Sequence, residues 1–188
     1  MKHPALKFRI LFLTTSLCIV SMIVLSCEKK IPMIPKSDLL TLPTLTAKDF
    51  KTVLTDSGRL QLVMTSPLME KYDKVDPPYS EFRSGIKVIY YNGQKNPAAR
   101  VTAKYGKCTD NNLWELRDSV VVINENNDKL ETEVLFWNQE KDRIYTDRFV
   151  KITSEDDVSQ GIGFESDSHL ANRRIYKVTA TIYLKDEK

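Results

Sequence analysis

The chain has 188 residues, 41% of them hydrophobic and 28% charged, which is enough for one domain with a core of its own. Six glycines and eight prolines are too few for a fibrous or disordered chain. The formal charge of +3 comes from Lys2, Lys7 and Arg9, and the residues that follow balance 25 basic against 25 acidic side chains. Such a neutral domain lacks the basic surplus typical of nucleic-acid-binding proteins, and we exclude that class.

The first 26 residues have the pattern of an export signal. The basic start is followed by the mostly apolar segment Ile10–Leu25, which at about 16 residues is short for a membrane span. This segment leads into Leu25-Ser26-Cys27, which resembles a bacterial lipoprotein lipobox. We therefore predict a lipoprotein signal at residues 1–26 and lipidation of Cys27, with an uncleaved transmembrane helix as the alternative. Either anchor tethers the remaining chain to a membrane, outside the cytoplasm.

A linker is predicted at residues 27–46, between the anchor and the domain. Its prolines and scattered polar residues disfavour a regular element, and such a segment is a semi-rigid spacer. Cys18 lies inside the signal, so with Cys27 lipidated Cys108 has no cysteine partner in the mature chain. No disulfide framework is therefore expected, and we interpret Cys108 as a buried thiol.

From residue 47 onward, runs of β-branched and aromatic residues alternate with short turn-forming segments. This pattern is typical of antiparallel strands, and no helix-period run of convincing length follows the signal. Ser57-Gly58 and Asn92-Gly93 are turn signals. The domain is therefore predicted to be all-β, a sandwich, jelly roll or barrel. The predicted strands are Thr52–Asp56, Arg59–Thr65, Leu68–Tyr72, Phe82–Tyr91, Ala98–Tyr105, Trp114–Ile123, Lys129–Trp137, Arg143–Ile152, Gly161–Asp167 and Arg174–Leu184.

Alternation along the central strands gives each of them one apolar face. Two sheets with such faces enclose an apolar interior, which is either a packed core or a slot that holds a lipid. Trp114 belongs to the apolar face of its strand. The interior positions that we predict, and the candidates for lipid contact, are Leu116, Val120, Val122, Leu130, Thr132, Val134, Phe136, Ile144, Thr146, Val150, Ile152 and Phe164.

Catalytic and metal-binding motifs are not found in the sequence. His169 is the one histidine after the signal and lies in a predicted turn, and there is no zinc motif, nucleophile elbow, P-loop or dinucleotide fingerprint. Gly161-Ile162-Gly163 is interpreted as a bend. Carboxylates are plentiful, so a glycosidase-type pair stays open. The residues alone predict a membrane-tethered, exported all-β binding module with no metal and no cofactor.

An ordered series of short motifs over residues 50–180 resembles the LptC family, the periplasmic component of the lipopolysaccharide-export machine. The chain departs from better-known members in its anchor, since they use one transmembrane helix. The motifs include Thr55-Asp56-Ser57-Gly58, Thr65-Ser66-Pro67-Leu68-Met69, Trp114-Glu115-Leu116, Leu130-Glu131-Thr132-Glu133, Ile144-Tyr145-Thr146-Asp147 and Gly161-Ile162-Gly163-Phe164.

The resemblance implies an open, twisted antiparallel β-jelly roll of two sheets at residues 47–188, on the periplasmic side of the inner membrane. It implies a protein that is not an enzyme. Such a protein accepts lipopolysaccharide from an inner-membrane ABC transporter, holds the acyl chains between its sheets and passes the lipid to a periplasmic bridge of similar jelly rolls.

The resemblance also implies partners at both open sheet edges, joined by strand pairing. The strands near Phe50–Val63 are expected to face the transporter, and Ile175–Leu184 the bridge. The charged tail Lys185–Lys188 is expected to guard this last edge against aggregation.

Two other functions stay open on the sequence. The first is an exported structural or adhesive β-sandwich lipoprotein with a solid core and no lipid ligand. The second is a carbohydrate-acting lipoprotein enzyme that uses a carboxylate pair.

Overall fold

The computed structural model of the protein describes residues 41–91, 93–109, 112–167 and 172–183. The predicted signal, Cys27, most of the linker, His169 and the tail Lys185–Lys188 lie outside these ranges. Among the described residues, no helix has the length and apolar character needed to cross a membrane.

Eleven strands form one antiparallel sheet in the described part of the chain, so the predicted all-β class is confirmed. Both residues of the Ser57-Gly58 turn have positive φ angles, 50° and 76°, as a two-residue hairpin requires. The strands are β1 (Leu45–Asp56), β2 (Arg59–Tyr72), β3 (Tyr79–Phe82), β4 (Ile86–Tyr90), β5 (Ala99–Ala103), β6 (Tyr105–Thr109), β7 (Leu113–Asn124), β8 (Lys129–Asn138), β9 (Arg143–Thr153), β10 (Asp157–Ser166) and β11 (Arg174–Tyr183).

Several strand boundaries differ from the prediction. β1 begins at Leu45, inside the predicted linker, and β10 begins at Asp157, inside a predicted turn. The predicted strand Phe82–Tyr91 is divided between β3 and β4 at Gly85, whose φ of 96° disfavours other residues. The predicted strand Ala98–Tyr105 is divided between β5 and β6 at Lys104. The two divisions have a common cause, because the whole sheet is folded there.

The fold in the sheet is evident from strands that have two partners along one edge. β2 pairs with β4 through residues 62–65 and with β3 through residues 70–72. β7 pairs with β6 through residues 113–117 and with β5 through residues 121–124. Asp118 and Ser119, between the two segments of β7, have positive φ angles of 63° and 57° and form a bulge opposite β8. We call this line of bends the crease.

The crease divides the sheet into two half-sheets that face each other. The first half-sheet contains β4, β5 and residues 59–66, 120–124, 129–132 and 149–153. The second contains β3, β6 and residues 68–72, 113–117, 135–138 and 143–146. Apolar side chains of both halves meet in one core cluster, which includes Met64, Val122 and Leu130 from the first half and Phe82, Leu116 and Leu135 from the second.

Candidate functional site

An apolar cavity of about 70 Å³ lies between the half-sheets, and we call it the cleft. One wall comes from the first half-sheet and the other from the second, with Gln139 as the one polar residue among those that line it. The lining residues are Leu62, Met64, Val88, Val101 and Val122 on one side, and Trp114, Leu116, Leu135, Trp137 and Ile144 on the other.

Each wall of the cleft is a row of cross-strand neighbours. In the first half-sheet, Met64 is opposite Val88, Val88 opposite Val101, and Val101 opposite Val122. Directly opposite residues of an antiparallel sheet share a face, so this row is one continuous apolar surface across four strands.

The second wall is built in the same way across β7, β8 and β9. Trp114 is opposite Trp137, and Trp137 is opposite Ile144. The Trp114 ring also stacks on Phe82 of β3, with ring centroids 5.8 Å apart. This stacking fixes the ring against the wall, since aromatic pairs at this spacing attract beyond their burial alone.

One end of the cleft opens into a groove of about 460 Å³ that is lined by both polar and apolar residues, and we call this groove the mouth. Leu62, Trp137 and Gln139 line both spaces. The mouth lies between the β1–β2 hairpin, which contributes Asp56, and the β8–β9 turn, which contributes Asp142. An apolar slot that ends in a partly polar groove suits an amphiphilic molecule better than a wholly polar one.

The interior away from the mouth is tightly packed. Phe164 and Leu130 are each 1% exposed, and Val120 and Val150 are fully buried. At the crease, the Thr132 hydroxyl donates to the carbonyl oxygen of Phe149 at 2.8 Å, which ties β8 to β9. We call this part of the interior, around Phe164, the packed region.

The structure buries the predicted interior residues, with two exceptions. Val134 is opposite the exposed Arg117, and Phe136 is opposite Tyr145 and stacks on it with centroids 5.3 Å apart. Neither belongs to the core cluster, so their prediction as interior residues is wrong.

The physical reason is the crease. Buried positions continue from Thr132 to Leu135, three residues later, so the apolar face of β8 changes parity as the strand crosses the crease. In β7 and β9 the crossing takes an even number of residues, from Leu116 to Val120 and from Thr146 to Val150, and simple alternation holds. The residues that β8 turns inward, Leu135 and Trp137, were therefore missed.

Only three of the predicted residues line the cleft, namely Leu116, Val122 and Ile144. Val120, Leu130, Val150, Ile152 and Phe164 lie in the core cluster outside the cleft lining. Thr132 and Thr146 have structural roles at the crease, where the Thr146 hydroxyl accepts from the Arg148 backbone N–H at 3.1 Å. Besides Leu135 and Trp137 of β8 and Gln139 after it, the missed lining residues are Leu62, Met64, Val88 and Val101 of the N-terminal strands. The same period-2 alternation in the N-terminal strands carried a usable signal for them.

A cluster of polar side chains on β3 and β6 stabilises the strands that lie next to the second wall of the cleft. The Tyr105 hydroxyl donates to Glu81 at 2.7 Å, and Arg83 forms an ion pair with Glu81 at 2.7 Å. Burial raises the pKa of Glu81, but hydrogen bonds from Tyr105 and Arg83 outweigh it and leave that pKa below its ordinary value. Burial and the bond to Glu81 raise the pKa of Tyr105 to about 12.

The sheet has an edge at each end of the chain. Within the described residues, β1 pairs only with β2 and β11 only with β10. Tyr176, Val178 and Ile182 of β11 are 56% to 60% exposed. Open backbone groups beside exposed apolar side chains form a surface that favours strand pairing.

Cys108 is buried in β6, so the prediction of a buried thiol is confirmed.

Comparison with known families gives one result. Residues 11–184 match the family described as "Lipopolysaccharide-assembly, LptC-related". No curated protein matches the chain.

Proposed function

Because the chain belongs to the LptC family, whose members act in lipopolysaccharide transport, we propose that its cleft holds the acyl chains of lipopolysaccharide during transfer. Membership confirms the predicted family and the β-jelly-roll fold. It also places the protein among periplasmic, inner-membrane-associated transport proteins of envelope assembly.

The observation that carries the proposal is the pairing of the cleft with its mouth. Two apolar rows face each other, and burying acyl chains between them gains about 25 cal/mol per Å² of apolar surface removed from water. The mouth is lined by Asp56, Gln61 and Gln139 among others, so a polar headgroup stays solvated there.

The cleft must widen to accept a lipid. Its volume of about 70 Å³ is well below the ~300 Å³ at which small-molecule sites begin. The two turns that flank the mouth are not joined by strand pairing in the described residues, and β4–β5 and β3–β6 pair with β2 and β7 but not with each other. The half-sheets therefore part at the mouth without breaking a strand pair.

The two edge strands are the places where partner proteins are proposed to attach. We propose that β1 pairs with the inner-membrane ABC transporter and β11 with a periplasmic bridge of the same jelly-roll type, by strand addition. The exposed side chains of β11 support this assignment. Lipidation of Cys27 is proposed as the anchor, with the residues between Cys27 and β1 as the spacer and the chain from Leu45 onward as the domain.

Lipopolysaccharide export in cells depleted of the wild-type chain tests the proposal. Val88→Arg places a charge in the cleft wall, and Val134→Arg places the same charge outside it. We expect Val88→Arg to block export at normal protein level while Val134→Arg supports it. Val88→Phe, which fills the cleft without a charge, is expected to reduce export too. Full export by folded Val88→Arg and Val88→Phe proteins would favour the structural or adhesive sandwich.

A further inference from the structure

Two tryptophans in the cleft wall have hydrogen-bond donors that nothing in the described structure satisfies. Trp114 and Trp137 are directly opposite each other on β7 and β8, and both line the cleft. Their indole Nε1 atoms are buried and have no hydrogen-bond partner among the described residues. They are the two tryptophans of the whole chain.

Unmet donors of this kind are uncommon in a protein interior. A buried indole N–H normally finds an acceptor, and leaving it unpaired costs free energy without any gain in packing. Phenylalanine would fill much of the same apolar wall without that cost. Trp114 already stacks on Phe82, and the facing wall of Met64, Val88 and Val101 offers no side-chain acceptor. The donors therefore suit an acceptor that arrives with a ligand.

The position of Trp137, with Trp114 directly opposite it in the cleft wall, restricts what the ligand contributes. Trp137 lines both the cleft and the mouth, so it lies where an apolar chain would give way to a polar headgroup. In an acylated lipid, the group at this junction is the carbonyl of the ester or amide linkage. A carbonyl oxygen has two lone pairs and donates nothing, which matches two N–H donors.

We propose that the indole N–H groups of Trp114 and Trp137 bind the linkage carbonyl of an acyl chain, so that the cleft selects acyl-linked over alkyl-linked lipids. This inference rests on the proposed function and adds the feature of the lipid that is recognised. An ether-linked lipid has the same tail but no carbonyl at the junction, so it occupies the cleft while the donors stay unmet.

The test uses a matched pair of probes, 1-acyl lysophosphatidylcholine and its 1-O-alkyl ether analogue of equal chain length. The ¹⁵N-labelled full chain is kept in a maltoside detergent, which has no carbonyl group. With two tryptophans, its spectrum contains two indole N–H signals. We expect the acyl probe to move both signals downfield, as hydrogen bonding does. The ether probe is expected to perturb the backbone amides of Val88 and Val101 without that shift.

Affinities give an independent measure. Two modest hydrogen bonds predict about tenfold tighter binding of the acyl probe than of the ether probe. Trp114→Phe/Trp137→Phe is expected to abolish this preference while ether binding persists. Replacing each tryptophan with benzothienylalanine, which keeps the ring shape and lacks the N–H, controls for packing and is expected to act in the same way.

The failures are distinguishable. Equal affinity for the two probes, or acyl binding without the downfield shift, would overturn the carbonyl recognition and leave the lipid cleft standing. Absence of any response at Val88 and Val101 to either probe would instead overturn the proposed function, and this inference with it.

Discussion

The packed region and the cleft are parts of one interior, yet they differ in how the sheet joins their walls. Around the packed region, β8, β9 and β10 run across the crease as continuous strands, so the two half-sheets are held together. Around the cleft, the first wall comes from β2, β4, β5 and β7, and β4 and β5 end at the crease without pairing with β8 or β9 of the facing wall. Strands that continue across the crease keep the packed region closed. Strands that end at the crease leave the cleft free to open.

Truncation of a large side chain is expected to give the largest difference in the free energy of unfolding between the two regions. Phe164→Ala removes a ring that is 1% exposed in the packed region, and we expect a loss of about 3–5 kcal/mol in the free energy of unfolding. Leu130→Ala in the packed region and Leu62→Ala at the half-buried rim of the cleft remove the same atoms, and Leu62→Ala is expected to cost clearly less than Leu130→Ala. Denaturant unfolding measures both. Equal losses would mean that the cleft is packed as firmly as the region around Phe164.

Enlargement of a side chain probes the empty space directly. Val150→Phe in the packed region is expected to cost about 1–3 kcal/mol, because overpacking forces neighbouring side chains from their rotamers. Val88→Phe adds the same atoms beside the cleft, which has about 70 Å³ to receive them, and is expected to cost less than Val150→Phe. Thermal unfolding of the two variants gives the comparison. A larger cost at Val88 would contradict the presence of a cleft.

Acid is expected to reduce the stability that Glu81 of β3 gives to the strands next to the second wall of the cleft. Because the folded-state pKa of Glu81 lies below its ordinary value of 4.5, its contribution to stability is present above that value and is lost as the pH falls through the folded pKa. At neutral pH we expect Glu81→Gln to be about 1 kcal/mol less stable than wild type. The gap should close in acid, as measured by urea unfolding at a series of pH values. If the difference in stability between wild type and Glu81→Gln is the same at every pH, the Glu81 carboxylate does not stabilise the fold through its charge.

The smallest effect is expected on the outer surface. Val134→Arg should lower the free energy of unfolding by less than about 1 kcal/mol, because Val134 lies outside the core and the cost is limited to the like-charge contact with Arg117 directly opposite. Leu135→Arg, one residue later and 2% exposed, should prevent folding. Circular dichroism and urea unfolding check the pair. The reverse result would restore the register that simple alternation predicts.

The sequence predicted the strands and most of the buried face, because period-2 alternation is a local property. It placed Leu116, Val122 and Ile144 inside correctly, and it identified the edges at β1 and β11. It could not predict the crease, since Asp118 and Ser119 look like an ordinary polar break in an apolar strand. Val134 and Phe136 were misassigned for that reason. The sequence also could not predict that Val88 and Trp137 line the same cleft, because this depends on how the sheet folds and not on any one strand.

Lipid is expected to occupy the cleft and not the packed region, and photo-crosslinking in cells distinguishes the two. A photoreactive amino acid replaces Val88 or Val101 in the cleft, Val150 in the packed region, or Val134 outside. We predict lipopolysaccharide adducts that depend on ATP at Val88 and Val101, and none at Val150 or Val134. Adducts at Val134 alone, or none at any position in a folded and exported protein, would contradict the account.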